Sequence, residues 1–147
     1  MLNDKFQNGG KMDFNIDTTG VLVVDLQGDF TELKSGSLAV PGTDDAYLKK
    51  TDNLTQKLKS SGFKVFATQD YHPQDHISFC TNHEGKAPLD FLEIDGRTQV
   101  MWPPHCVQGT ENAEVLVDNS LFEAIVKKGC DPKFDSYSGF YDDGGAD

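Results

Sequence analysis

One segment constrains the fold more than any other. Residues Gly20-Val-Leu-Val-Val-Asp-Leu26 form a short, continuous run dominated by β-branched side chains. A run without polar alternation suits a strand covered on both faces, as in a parallel sheet. Parallel strands need a crossover, and the chain supplies one. After a turn-rich stretch, Ser35 to Gly42, the segment from Asp44 to Ser60 carries Ala46, Tyr47, Leu48, Leu54 and Leu58 at helical spacing. Asp44 is placed to cap this helix and Gly62 to end it. Phe63-Lys-Val-Phe-Ala-Thr-Gln69 then reads as a second strand, completing a βαβ unit. Ala124-Ile-Val-Lys-Lys128, stopped by Gly129, reads as a third. The fold class expected is therefore α/β, with helices layered on a parallel sheet. Three strands fall short of the roughly five that usually close such a core. The tail from Cys130 to Asp147 shows neither period, so the architecture reads as incomplete within this chain.

The length of 147 residues fits one domain, with no internal repeat and no linker between domains. Residues 1 to 19 are polar, carry Gly9-Gly10, and read as an N-terminal arm. The formal net charge of −11 argues against nucleic acid or an anionic membrane as the main partner, since phosphates would be repelled. No apolar run approaches the roughly 20 residues that span a bilayer. The first residues lack the apolar core of a signal peptide. Three cysteines, an odd number, give no disulfide framework, and a reducing cytoplasmic location is expected.

Sites in open parallel sheets form beyond the carboxyl ends of the strands. Asp25 lies near the end of the first strand, Asp70 follows the second, and Lys128 ends the third. All three are therefore expected to converge on one crevice. Asp25 sits inside an apolar run, where an unpaired carboxylate is costly to bury, and Lys128 is the candidate partner. Such a pair serves as a base for a nucleophile or simply as a buried ion pair.

The stretch from Tyr71 to Thr110 reads as irregular and holds all four histidines. A loop of that length in a compact domain is usually functional. Asp70-Tyr-His72 places a carboxylate and an imidazole on the same side of an extended chain. With His105 and His76, the set suits a divalent ion such as Zn²⁺, Fe²⁺ or Mn²⁺ with open positions left. A loop histidine is also often a plain surface or capping residue, and His83, in polar Thr-Asn-His-Glu-Gly, reads as the uninvolved one. Trp102-Pro-Pro-His-Cys106 is stiffened by its prolines. It fixes His105 and the one tryptophan, which either stacks on a planar ligand or covers core. Cys80, Cys106 and Cys130 all lie away from a strand-to-helix turn and read as ordinary thiols.

Taken together, Val24-Asp-Leu-Gln-Gly-Asp-Phe30, Ser37-Leu-Ala-Val-Pro-Gly42, Thr68-Gln-Asp-Tyr-His-Pro73, His76-Ile-Ser-Phe79, Trp102-Pro-Pro-His-Cys106, Lys128-Gly129 and Tyr137-Ser-Gly-Phe140 resemble a known family. The resemblance is to the nicotinamidases of the isochorismatase-like cysteine hydrolase superfamily, from about Gly20 to the C-terminus. It implies a three-layer α/β/α fold around a parallel sheet. It implies Asp25 as general base and Lys128 as the lysine of an Asp-Lys-Cys triad. Asp70, His72 and His105 correspond to metal ligands; His76 corresponds to one that only some members use. Phe30, Trp102 and Tyr137 correspond to the aromatic pocket for nicotinamide or a similar small amide. The metal implied is Zn²⁺, with Fe²⁺ or Mn²⁺ as substitutes. The family's nucleophilic cysteine belongs to a second half at a strand-to-helix turn, which this chain does not contain. The resemblance thus implies a further segment or a second polypeptide carrying that cysteine, and leaves room for a homo-oligomer. The competing expectations are a metal-containing module that binds without turnover, and a cysteine hydrolase of another small amide.

Overall fold

The computed structural model describes residues 14–145; most of the expected N-terminal arm, residues 1–13, lies outside the described residues. In chain order the elements are β1 (Gly20–Val23), α1 (Asp45–Ser60), β2 (Lys64–Asp70), β3 (Phe91–Ile94), β4 (Arg97–Val100) and β5 (Ala124–Lys128). Strands β1, β2 and β5 form one parallel sheet with β2 in the centre. The register pairs Val23 with Ala67, and Asp70 with Lys128. That register brings the carboxyl ends of the three strands to one edge.

The expected βαβ unit forms. Asp44 caps α1 by accepting a 2.9 Å hydrogen bond from the Tyr47 N–H. Gly62, at φ +97°, turns the chain into β2. Strand β1 ends three residues short of Leu26 because Asp25 takes a left-handed conformation, φ +46°, and turns the backbone away. An aspartate tolerates that region better than the surrounding β-branched residues do. Strand β2 runs one residue further than Gln69 and includes Asp70, held by pairing with Lys128.

Tyr71 to Thr110 is not wholly irregular. Strands β3 and β4 form an antiparallel hairpin, closed by Asp95 and Gly96 at φ +50° and +77°. Both central residues are left-handed, as the favoured two-residue hairpin turn requires. Asp95-Gly96 is the dipeptide that such a turn favours.

One face of the sheet carries the core. Val23, Val65 and Ala67 pack with Leu26, Leu48 of α1, Val115 and Val117. The other face is apolar and bare: Leu22, Val24 and Val126 are 53%, 63% and 42% exposed. Among the described residues only the segment around Tyr137, Gly139 and Phe140 approaches that face, where it borders a cleft of about 410 Å³. The β1 sequence is thus suited to burial on both sides, and α1 supplies one of them.

Candidate functional site

The strand ends open into a pocket of about 260 Å³, lined by Asp25, Asp70, Lys128, His72 and His105 together with Phe30, Trp102 and Tyr137. Each polar member is aimed by a specific contact. The turn at Asp25 sends its carboxylate back over the sheet, where Oδ1 accepts a 2.7 Å bond from the Thr68 hydroxyl. The other oxygen lies 3.0 Å from Lys128 Nζ. Lys128 also contacts the Asp70 carboxylate, and it donates to the Ser136 carbonyl at 3.3 Å. The expected partnership of Asp25 and Lys128 therefore includes a second carboxylate. Burial pushes the Lys128 ammonium down, but Asp70 and then Asp25 outweigh it and hold it above its ordinary value. Burial likewise pushes the Asp70 carboxyl up, and the neighbouring His72 and Lys128 bring it below its ordinary value. Both groups are charged at neutral pH.

Asp70, His72 and His105 form a potential metal-binding group whose ligand atoms all lie within 4.8 Å of one another. The remaining contacts of the two rings decide their tautomers. His72 Nδ1 donates to the Gly129 carbonyl at 2.9 Å, and His105 Nδ1 to the Pro103 carbonyl at 2.9 Å. Both Nε2 lone pairs are thereby left facing Asp70 Oδ2, at 3.7 and 3.9 Å. Those separations exceed a hydrogen bond and leave room for an ion between the donors, since zinc takes nitrogen and oxygen at roughly 2.0–2.2 Å. Backbone carbonyls that fix the distal nitrogens are the usual support of a metal-binding histidine. The donor set fits a divalent ion.

His76 stands beside this group with both nitrogens engaged. Its Nε2 donates to the Phe134 carbonyl at 3.1 Å, and its Nδ1 accepts from the Ser78 hydroxyl at 2.8 Å. Burial, then the neighbouring His72, lower its pKa to about 4, so the ring is neutral. The structure places it against the side of His72, with ring centroids 4.3 Å apart. Phe79 forms the floor of the cluster, 5.5–5.6 Å from the centroids of His72, His76 and His105. His83 is remote, bonded to the Ile77 carbonyl. Phe30 lies 5.7 Å from the His105 ring, and the Trp102 indole donates to the Tyr137 hydroxyl at 3.0 Å.

Several supporting residues carry no obvious mark in the sequence. Gln27, fully buried, donates to the carbonyls of Asp70 and Ala113 at 2.7 Å, and accepts from the Asp70 N–H at 2.8 Å. It therefore fixes the backbone of Asp70 from both sides. Asp29 accepts from the Cys106 N–H at 2.7 Å and so holds the loop that carries His105. Gly129 lies so close to His72 that a Cβ there would sit 2.2 Å from the ring. Asp135 and Ser136 line the pocket from the tail. The one available signal was a polar residue interrupting an apolar run, as Gln27 does after Leu26. Cys106 is buried, and its thiol is pushed well up by that burial and by surrounding carboxylates. Among the described residues no cysteine lines the pocket.

Comparison with known proteins matches this arrangement to one group. A nicotinamidase of Acinetobacter baylyi is 40% identical over 122 residues, 82% of this chain and 54% of that protein. Among solved structures, the Acinetobacter baumanii nicotinamidase/pyrazinamidase superposes with a TM-score of 0.69 at 38% identity, covering 84% of this chain and 57% of that one. The chain is a relative of the nicotinamidases. A pyrazinamidase of Pyrococcus horikoshii, solved in complex with zinc, superposes with a TM-score of 0.63 at 36% identity, over 82% of this chain and 57% of that one. No protein-family model matches the chain. The chain spans a little over half the length of the nicotinamidases it matches.

Proposed function

We propose that this chain forms the metal and base portion of an amidohydrolase that converts nicotinamide to nicotinate and ammonia, a step of NAD salvage, in the cytoplasm. The observation that carries the reading is the fusion of two sites in one pocket: Lys128 pairs with both Asp25 and Asp70, and Asp70 also faces the His72–His105 pair. Similarity to nicotinamidases supports the substrate class. The zinc-bound relative and the donor set support Zn²⁺, with Fe²⁺ or Mn²⁺ as substitutes.

In this reading Asp70, His72 and His105 hold the ion. When bound, the ion supplies a Lewis-acid anchor for the pyridine nitrogen. Phe30, Trp102 and Tyr137 wall the ring and exclude water. Asp25 takes the proton of a cysteine thiol, Lys128 keeps the base in place, and the thiolate attacks the amide carbon. Asp25 passes that proton to the leaving amide nitrogen, ammonia departs, and water cleaves the thioester to release the acid and restore the thiol. The thiol comes from a segment matching the relatives' unmatched length, within a longer chain or on a second polypeptide.

The test pairs intact mass with ammonia release from nicotinamide by zinc-loaded protein. Turnover that requires a cysteine-bearing segment, and falls at least 10³-fold in Asp25→Asn, is expected. Nicotinamide affinity unaltered by Asp70→Ala would count against the anchored ring. The absence of a cysteine from the pocket favours one second reading, a metal-containing module that binds pyridines without turnover. Ammonia release with stoichiometric zinc excludes it.

A further inference from the structure

Asp29 is buried, lies outside the pocket lining and has no part in the chemistry just described. Its carboxylate oxygens serve as acceptors. Three segments of the chain donate to them. The Cys106 N–H reaches Oδ2 at 2.7 Å. The Asn112 side-chain amide reaches Oδ1 at 3.1 Å, and the Ser37 N–H approaches the same oxygen at 3.4 Å. The shortest of these contacts meets the chain at an unusual place. Cys106 is left-handed, φ +46°, a conformation that is costly for a residue with a Cβ. With that backbone its N–H faces Asp29, while its carbonyl accepts a 3.0 Å bond from the His72 N–H. The residue before it is His105. The Cys106 backbone thus joins two of the three members of the candidate metal group, and Asp29 holds it from the far side.

We propose that Asp29 is a positioning residue: by gripping the Cys106 N–H it maintains a strained turn that sets His105 and His72 at the spacing a divalent ion requires. The loop has few other handles. Pro103 and Pro104 have no N–H to give. The bond from His105 Nδ1 to the Pro103 carbonyl stays within the loop, so it fixes the ring on the loop and not the loop on the sheet. The Ser37 hydroxyl donates to the Pro104 carbonyl at 2.9 Å, but that contact is exposed. The Cys106 N–H is buried and its acceptor is a carboxylate, the stronger kind of hydrogen bond. The consequence for ion affinity rests on the proposed metal role of Asp70, His72 and His105.

The full 147-residue chain is compared with Asp29→Ala, Asp29→Asn and Cys106→Val. Zinc affinity is read by competition with a chromogenic chelator, and amide hydrogen exchange is read on the metal-free protein. In Asp29→Ala zinc affinity is expected to fall about 10–100-fold. The Cys106 and His72 amides should exchange about tenfold faster, the loss of one hydrogen bond, while those of Val65 and Ala67 in β2 keep the parent's rate. Asparagine keeps an acceptor oxygen within reach of the Cys106 N–H, so Asp29→Asn should recover most of both losses. Cys106→Val leaves Asp29 in place, but a β-branched residue opposes the left-handed turn, and zinc affinity should fall to the same degree. That variant reads the same link from its other end, including where Asp29→Ala does not fold. Parent-like zinc affinity and exchange in Asp29→Ala or in Cys106→Val would overturn the proposal. So would an equal acceleration of every amide, which assigns Asp29 to global stability alone. Asp29→Asn as weak as Asp29→Ala overturns it too, because the charge and not the bond then matters. A parent that binds no zinc, with Cys106 and His72 still exchanging faster in Asp29→Ala, overturns the metal reading and leaves the positioning role standing.

Discussion

Gln27 and Gly129 act on the candidate metal group of Asp70, His72 and His105 without belonging to it. Gln27 satisfies the N–H and C=O of Asp70, and its removal strands buried backbone polar groups. Gln27→Ala is expected to cost about 3 kcal/mol of unfolding free energy, checked by urea titration. At Gly129 an added methyl group would overlap the His72 imidazole, and the left-handed backbone, φ +64°, disfavours any side chain there. Gly129→Ala should weaken zinc binding about 10–100-fold by competition with a chromogenic chelator. His76 makes the acid limb of stability steep. Its folded pKa of about 4 lies below the ordinary value of 6.5, so the unfolded chain binds more protons between those limits. Stability of the metal-free protein therefore falls as pH drops from about 6.5 toward about 4, and His76→Gln should flatten the slope of urea midpoint against pH. Asp70 adds a loss of the same sign at lower pH, because its carboxyl is held below 3.8.

The elements differ in how openly the sequence announced them. Helix α1 was legible because Asp44, the helical spacing and Gly62 all agree, and Asp44→Ala should cost about 1 kcal/mol by thermal unfolding. Strand β5 was legible to the residue, since Ala124 to Lys128 is bounded by Gly129. The meeting of Asp25, Asp70 and Lys128 could be read from their shared place at strand ends, which topology alone brings together. The hairpin was hidden because its alternation is weak, with Leu92, Ile94 and Val100 each half-buried. Geometry at the level of ring tautomers was not legible at all. Nothing in the order of residues says that His72 donates to Gly129, or that His76 meets the Phe134 carbonyl, because those contacts join segments far apart in the chain.

At the scale of the whole molecule the sheet has one finished face and one bare one. Leu22, Val24, Phe66 and Val126 form an apolar surface beside the pocket that holds Asp25 and Lys128. Contiguous exposed apolar surface of this kind drives association. Replacing Val126 with Lys is expected to lower light scattering of concentrated protein without disturbing zinc binding, since Val126 is not among the donors.

The order β1-β2-β5 has a consequence in time. Thr68 meets Asp25 across 43 residues, and Lys128 meets Asp70 across 58. Each contact requires closing a long loop before any pairing rewards it, so such sheets form slowly. No local fragment of the chain contains the pocket, and neither β1 nor β5 reaches the site without β2 between them. Acquisition of zinc affinity during refolding should therefore trail the helical signal of α1, because ion capture waits for the last strand to dock.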